Sequence, residues 1–261
     1  MSMHRVRDYK TEAIPLKRMD FSEADRIVTV MTPGRGKLRL LAKGVRRSTS
    51  RMAGHLEVFS HAQLRVVGAR DLDLVVEAAT IESFRDLRED LVRSSHAYHL
   101  AELVDAFVQD RDEHRAVFHL LRNALAALSE GAAPPDLIAR HFEVHFLRAV
   151  GLGQRLVNCV VCDDEIVAGS NSYSVILGGV LCPSCGRGEP SASPIAVDTL
   201  KLLRFVQRTE MVDRLMVRVP DETVSDAQHL LHKQIEAVLE RRLHAATFVR
   251  RVEETVARYS A

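Results

Sequence analysis

The chain has only four cysteines, Cys159, Cys162, Cys182 and Cys185, which form two Cys-x2-Cys pairs separated by nineteen residues. Each pair brings two sulfurs to one side of a tight turn, and two such turns complete the tetrahedral sulfur cage that Zn²⁺ favours. The separation is that of a zinc ribbon. If protein sulfur fills all four positions, no place remains for water or substrate, so the expected metal is structural and not catalytic. Between the pairs, Val175-Ile-Leu-Gly-Gly-Val-Leu181 reads as a short hairpin turning near Gly178 and Gly179. The residues 186–194 that follow read as a loop.

Paired cysteines, with no apolar leader at the N-terminus, fit a reducing compartment and metal in place of disulfides. The expected location is the cytoplasm, at the nucleoid. No run of apolar residues is long enough to span a bilayer, so no membrane partner is expected.

The net charge of +1 conceals an asymmetry. Residues 1–80 carry fifteen Lys/Arg against nine Asp/Glu, and the remainder twenty-one against twenty-six. From Arg26 to Leu56 there are eight basic residues and no acidic one. Seven of them are the candidate polyanion contacts: Arg35, Lys37, Arg39, Lys43, Arg46, Arg47 and Arg51. Several cations grouped together displace condensed counterions from a nucleic-acid backbone, which gives salt-sensitive affinity. Aromatic stacking platforms are scarce here, with only Tyr9, Phe21 and Phe59 in residues 1–80, so backbone contact is expected over base stacking.

Period-2 patterns at 11–17, 25–31, 37–43, 61–67 and 71–79, separated by turn residues, predict five short strands in a small Greek-key barrel of the OB type. An SH3-like barrel has the same composition. After residue 80 the period becomes helical, over 91–108, 115–128 and 136–150, and again from about 195, with a long helix over 225–247 and a last one to about 259. The stretch 206–220 is ambiguous. The fold class is therefore α+β multidomain: an OB-type β-barrel at 1–80, an α-helical domain in two parts at 81–155 and 193–261, and an inserted four-cysteine zinc ribbon at 156–192.

Three other motifs lack required parts. Gly34-x-Gly36-Lys37 has neither the spacing nor the Ser/Thr of a phosphate loop. His141-x-Glu143 with Cys182-Pro-Ser-Cys185 approximates the zinc deaminase pattern, but the proline lies inside the cysteine pair. His141 and His145 share a helical face and match no metalloprotease motif, so ordinary partly buried or surface histidines are expected. No catalytic machinery is read, and an enzyme is not expected.

The stretch from Asp25-Arg26-Ile-Val-Thr29 to Gly36-Lys37, then Ala42-Lys-Gly-Val-Arg-Arg47 and Ser50-Arg-Met-Ala-Gly-His-Leu-Glu57, resembles the bacterial RecO recombination-repair proteins. The likeness continues from Phe142-Glu143 through Gly151-Leu152 into the cysteine ribbon. It implies an OB barrel, a helical domain and a non-enzymatic activity: binding single- and double-stranded DNA and annealing complementary strands. As partners it implies RecR and the acidic, apolar C-terminal tail of single-strand-binding protein (SSB), with loading of RecA onto SSB-coated DNA as the outcome. The DNA surface carried over comprises Lys37, Arg39, Lys43, Arg46, Arg47 and Arg51, with Arg35 in the turn. Arg122, Arg140, Arg148, Arg204 and Arg208 are unranked candidates for the SSB tail. The alternative is a zinc-containing interaction scaffold with no direct DNA function.

Overall fold

Alternation of apolar residues builds the first half of the chain. In Gly36–Ala42, Leu38, Leu40 and Ala42 are buried while Arg39 is exposed, because successive strand side chains point to opposite faces. The computed structural model describes residues 8–239 and positions 245, 248, 249, 251, 252, 255 and 256. The helical stretch expected beyond 239 lies largely outside them.

Five strands, β1 (Asp8–Asp20), β2 (Arg26–Thr32), β3 (Gly36–Ala42), β4 (His61–Val67) and β5 (Asp73–Glu82), close a barrel in the order β1-β2-β3-β5-β4, with β4 returning to β1. All pairings are antiparallel except β3 with β5, which holds at only two register positions, Leu40↔Asp73 and Leu41↔Leu74. This is the OB arrangement. Its interior is filled by Ala13, Val28, Val30, Leu38, Leu40, Ala42, Val45, Leu56, Ala62, Leu64, Val66 and Val75. Fully burying each of the larger aliphatic side chains contributes about 1.5–3 kcal/mol, so the barrel has an apolar core of its own.

Helices α1 (Arg85–Glu89), α2 (Leu91–Phe107) and α3 (Arg115–Glu130) follow. The one-turn α1 has no counterpart in the sequence reading. Asp90 caps α2 by accepting from the Arg93 N–H, and α2 packs against β1. The chain divides into two compact units, 1–129 and 130–261.

The second unit opens with α4 (Pro135–Ala149), which begins on a proline as helices favour and is buried from Leu137 to Leu147. It packs against α6 (Val197–Arg208) and α7 (Asp221–Leu239). His141 and His145 lie four residues apart on its face with ring centroids 4.3 Å apart. Both Nε2 atoms approach the Thr209 carbonyl at 2.9 Å, so the pair satisfies a carbonyl freed at the end of α6. Between α4 and α6 lie β6 (Ser172–Ser174), β7 (Gly179–Leu181), α5 (Pro183–Gly186) and β8 (Ala192–Pro194). They form a three-stranded sheet ordered β7-β6-β8. β8 falls where a loop was expected: a polar Ala-Ser-Pro strand carries no alternation to read, and its pairing with β6 alone makes it a strand. The ambiguous stretch resolves into the end of α6 and a single 3₁₀ turn, Val212–Leu215.

Candidate functional site

The cysteine centre follows from the turns of the small sheet. Val160 N–H donates to the Val180 carbonyl (3.0 Å), which lays the first Cys-x2-Cys turn against β7. Gly179 is required at this crossing: a Cβ there would sit 2.3 Å from Val160 Cγ1 and 2.6 Å from the Arg155 carbonyl oxygen. The second turn runs into α5, with Gly186 N–H donating to the Cys182 carbonyl. All four Sγ atoms consequently lie within 4.8 Å of one another. Cys162 Sγ and Cys182 Sγ are 3.8 Å apart. A tetrahedron with metal–sulfur bonds near 2.3 Å has edges of about 3.8 Å, so the donor set fits zinc.

The surrounding electrostatics agree. Burial opposes ionisation of Cys159, but N–H groups from Cys162, Cys182 and Val161 outweigh it and lower the thiol to about 6. The N–H of Cys185 lowers Cys182. Cys185 moves up because it hydrogen-bonds Cys182. Cys162 is also raised: the Asp164 N–H opposes this, but hydrogen bonds to the Asp164 side chain and to Cys159 outweigh it. Two sulfurs thus favour the thiolate and two resist it, a conflict that a divalent cation among them removes. Neither His141 nor Glu143 joins this group: His141 serves Thr209, and Glu143 faces Arg140 in a buried ion pair of 2.7 Å.

The basic residues, close in sequence, fall into four places on the barrel. Lys43, Arg46, Arg47 and Arg51 lie on the loop after β3. That loop is pinned to the β1–β2 turn: Gly44 N–H donates to Asp25 Oδ1 (2.8 Å), Arg46 N–H to the Ala24 carbonyl (3.0 Å), and Arg46 Nη1 to the Ser22 carbonyl (2.9 Å). Gly44 itself has φ +65°, a conformation that suits glycine. Arg46 also faces Asp20 at 3.4 Å and so belongs to the anchor. Asp20 is held below the usual carboxylate range by Arg26 beside it. Lys43, Arg47 and Arg51 are exposed and have no ion pair among the described residues.

Arg39 projects alone from the middle of β3, exposed and likewise unpaired among the described residues. At the far end of β3, Arg35 lies over the Tyr9 ring at 3.8 Å. Lys37 is placed apart from the other six. Its side chain is only 12% exposed, donates to the Asp105 carbonyl at 2.7 Å, and lies 3.4 Å from the Asp105 carboxylate and 3.6 Å from that of Asp110. The sequence reading passed over Asp25 and Asp20, which fix the loop. Both stand just before the acid-free stretch, and that position was the available signal.

Of the arginines considered for an acidic tail, Arg140 is buried against Glu143 and Arg148 donates to His145 Nδ1 (3.1 Å). Arg204 donates to the carbonyls of Leu156 and Ile166 and so ties α6 to the cysteine module. Arg122 bonds Asn123, while Arg208 is exposed. In the same unit, Leu202, Phe205, Val217 and Pro220 line an apolar groove of about 300 Å³, with Arg218 and the ion pair of Lys201 with Asp198 (3.0 Å) also in its lining. No helix among the described residues is long and apolar enough to cross a membrane.

These features define an OB-barrel protein with basic side chains on its barrel and a four-cysteine centre in a helical second unit. Residues 3–84 match the family described as Recombination protein O N terminal, and residues 88–246 match Recombination protein O C terminal. The chain is 37% identical over 245 residues to the DNA repair protein RecO of Roseiflexus sp. (strain RS-1), covering 94% of this chain and 86% of that protein. It is 33% identical over 243 residues to that of Symbiobacterium thermophilum, covering 92% and 96%. To that of Dehalococcoides mccartyi (strain 195) it is 31% identical over 239 residues, covering 92% and 94%. The chain belongs to the RecO family.

Proposed function

We propose that this chain is a non-enzymatic DNA-binding and strand-annealing protein of recombinational repair, which works with RecR to load RecA onto SSB-coated single-stranded DNA. The observation that carries this reading is the pinned loop bearing Lys43, Arg47 and Arg51, whose cations have no acidic partner among the described residues. Cations already neutralised by the fold displace few counterions, whereas unpaired ones displace one per phosphate contacted. Annealing brings two polyanions together, so neutralising phosphates while leaving base edges free lowers the barrier. An aromatic-poor barrel suits that task. The protein acts in the cytoplasm, at the nucleoid.

Zn²⁺ at Cys159, Cys162, Cys182 and Cys185 would contribute folding free energy and leave no open coordination position. For the SSB tail we assign the groove formed by Leu202, Phe205, Val217 and Pro220, because an acidic, apolar chain end needs an apolar floor with a cation nearby, here Arg218, while Lys201 pairs with Asp198.

The test is single-stranded DNA binding across a salt series, comparing wild type with Lys43→Ala/Arg47→Ala/Arg51→Ala. Three lost phosphate contacts should flatten the log–log salt slope by about 2 on single strands. An unchanged slope would remove the loop from the DNA surface and favour the scaffold reading.

A further inference from the structure

The loop between α2 and α3 is laid along the start of β3. Lys37 and Asp110 form a parallel bridge, and Arg111 N–H donates to the Lys37 carbonyl at 2.9 Å. Gly36 permits this approach, since a Cβ there would lie 1.8 Å from the Asp112 carbonyl oxygen. Arg111 has φ +64°, which is costly for a residue with a side chain. Its guanidinium is 70% exposed and held 3.3 Å from Asp73, a carboxylate only 11% exposed. The charges of Asp73, Arg35 and Arg111 all act on the Tyr9 hydroxyl. Arg35 is thus stacked on the Tyr9 ring, and Arg111 is held by the largely buried acid whose charge also acts on the Tyr9 hydroxyl. The loop supplies Arg111 from an otherwise acidic run, Asp110-Arg111-Asp112-Glu113.

Arg35 and Lys43 stand in the turns at the two ends of β3, and Arg39 is exposed on the strand between them. At about 3.3 Å per residue, Arg35 and Lys43 are up to roughly 26 Å apart along the strand. We infer that Arg35 and Arg111, whose charges both act on Tyr9, form a second phosphate-binding station for single-stranded nucleic acid, joined through Arg39 to the 43–51 loop as one track along β3. Planar guanidiniums suit this task because they bind phosphate oxygens in pairs. The inference rests on the DNA-binding reading above and extends it to the opposite end of the barrel strand, where the loop after β3 does not reach.

Its test is the dependence of affinity on strand length. Oligothymidylates from about 4 to about 16 nucleotides span the site sizes of OB folds. Wild-type affinity should climb until a strand reaches both stations. Arg35→Ala/Arg111→Ala should match wild type on the shortest strands, stop gaining earlier, and lower the salt slope on the longest by about 0.7 from Arg35, with a smaller addition from Arg111 because Asp73 already pairs with it. Lys43→Ala/Arg47→Ala/Arg51→Ala should instead weaken binding already on the shortest strands. A length profile and slope unchanged by Arg35→Ala/Arg111→Ala would overturn the second station while leaving the loop assignment intact. Wild-type protein that binds no DNA would overturn both. If the double variant melts well below wild type, Arg35→Glu in the exposed turn replaces it, with loss of the length gain expected and an unchanged gain overturning the station.

Discussion

The barrel and the cysteine module fix their backbones by different means. The barrel closes around a dozen apolar side chains and is held by register pairing along nearly every strand. The module's three strands have three residues each, and Val161, Val167, Ile176 and Leu177 around them stay exposed. Sheets this small do not hold alone in water; Leu156, Ile166, Tyr173, Val180 and Leu181 are buried here, and the four converging sulfurs add to that small core. The difference teaches where each region tolerates change. The exposed barrel cations Arg39, Lys43, Arg47 and Arg51, unpaired among the described residues, can be altered without touching what folds it, whereas the module has a small core and depends on its sulfurs.

The comparison breaks most sharply at the proposed metal site. Cys159→Ser, or chelation of wild type, should unfold the module, because structural zinc contributes on the order of 10 kcal/mol in small domains. Hydrogen exchange should show loss of protection at the Val160 and Val180 amides and retention in β1–β4. Simultaneous loss in both regions would show the module supporting the barrel. The converse substitution, Leu64→Ala inside the barrel, should cost about 2–5 kcal/mol and lower the melting temperature while zinc content stays stoichiometric.

A smaller effect concerns the buried histidines, which sit in neither region. Burial, and then the neighbouring His145, lower His141 from 6.5 to about 4, and burial also lowers His145. Both are neutral in the folded chain at pH 7. Their folded values lie below the unfolded ones, so the fold is fully favoured above about 6.5 and loses stability as pH falls towards 4. The loss should be on the order of 3 kcal/mol or less, read as a falling denaturant midpoint in the second unit. His141→Phe should flatten that dependence between pH 6.5 and 4.

Much of this architecture can be read from the residues. Strand alternation at Leu38, Leu40 and Ala42 and the cysteine spacing each depend on local chemistry, and both predict what forms. The site is less legible wherever a partner is remote. Lys37 and Arg39 look equivalent two residues apart on one strand face. Asp105, sixty-eight residues away, occupies the first and leaves the second free. Arg111 was invisible for the same reason, being one cation in an acidic run that gains meaning only where Lys37 and Asp73 hold it. The ribbon's third strand was missed because β8 has no pattern of its own.

Strand β3 pairs with β5 at only two positions, and beyond them its outer edge would be bare backbone. The Asp110–Arg111 bridge to Lys37 occupies that edge with the chain's own peptide groups. An open strand edge is a template for another molecule's strand, and a protein that crowds along a polyanion brings many such edges together. Here the edge of the strand proposed to carry nucleic acid is occupied at Lys37 by the loop and at Leu40 and Leu41 by β5. Crowding on DNA then meets a β3 edge shortened by the chain's own peptide groups, which leaves less template for strand-to-strand association.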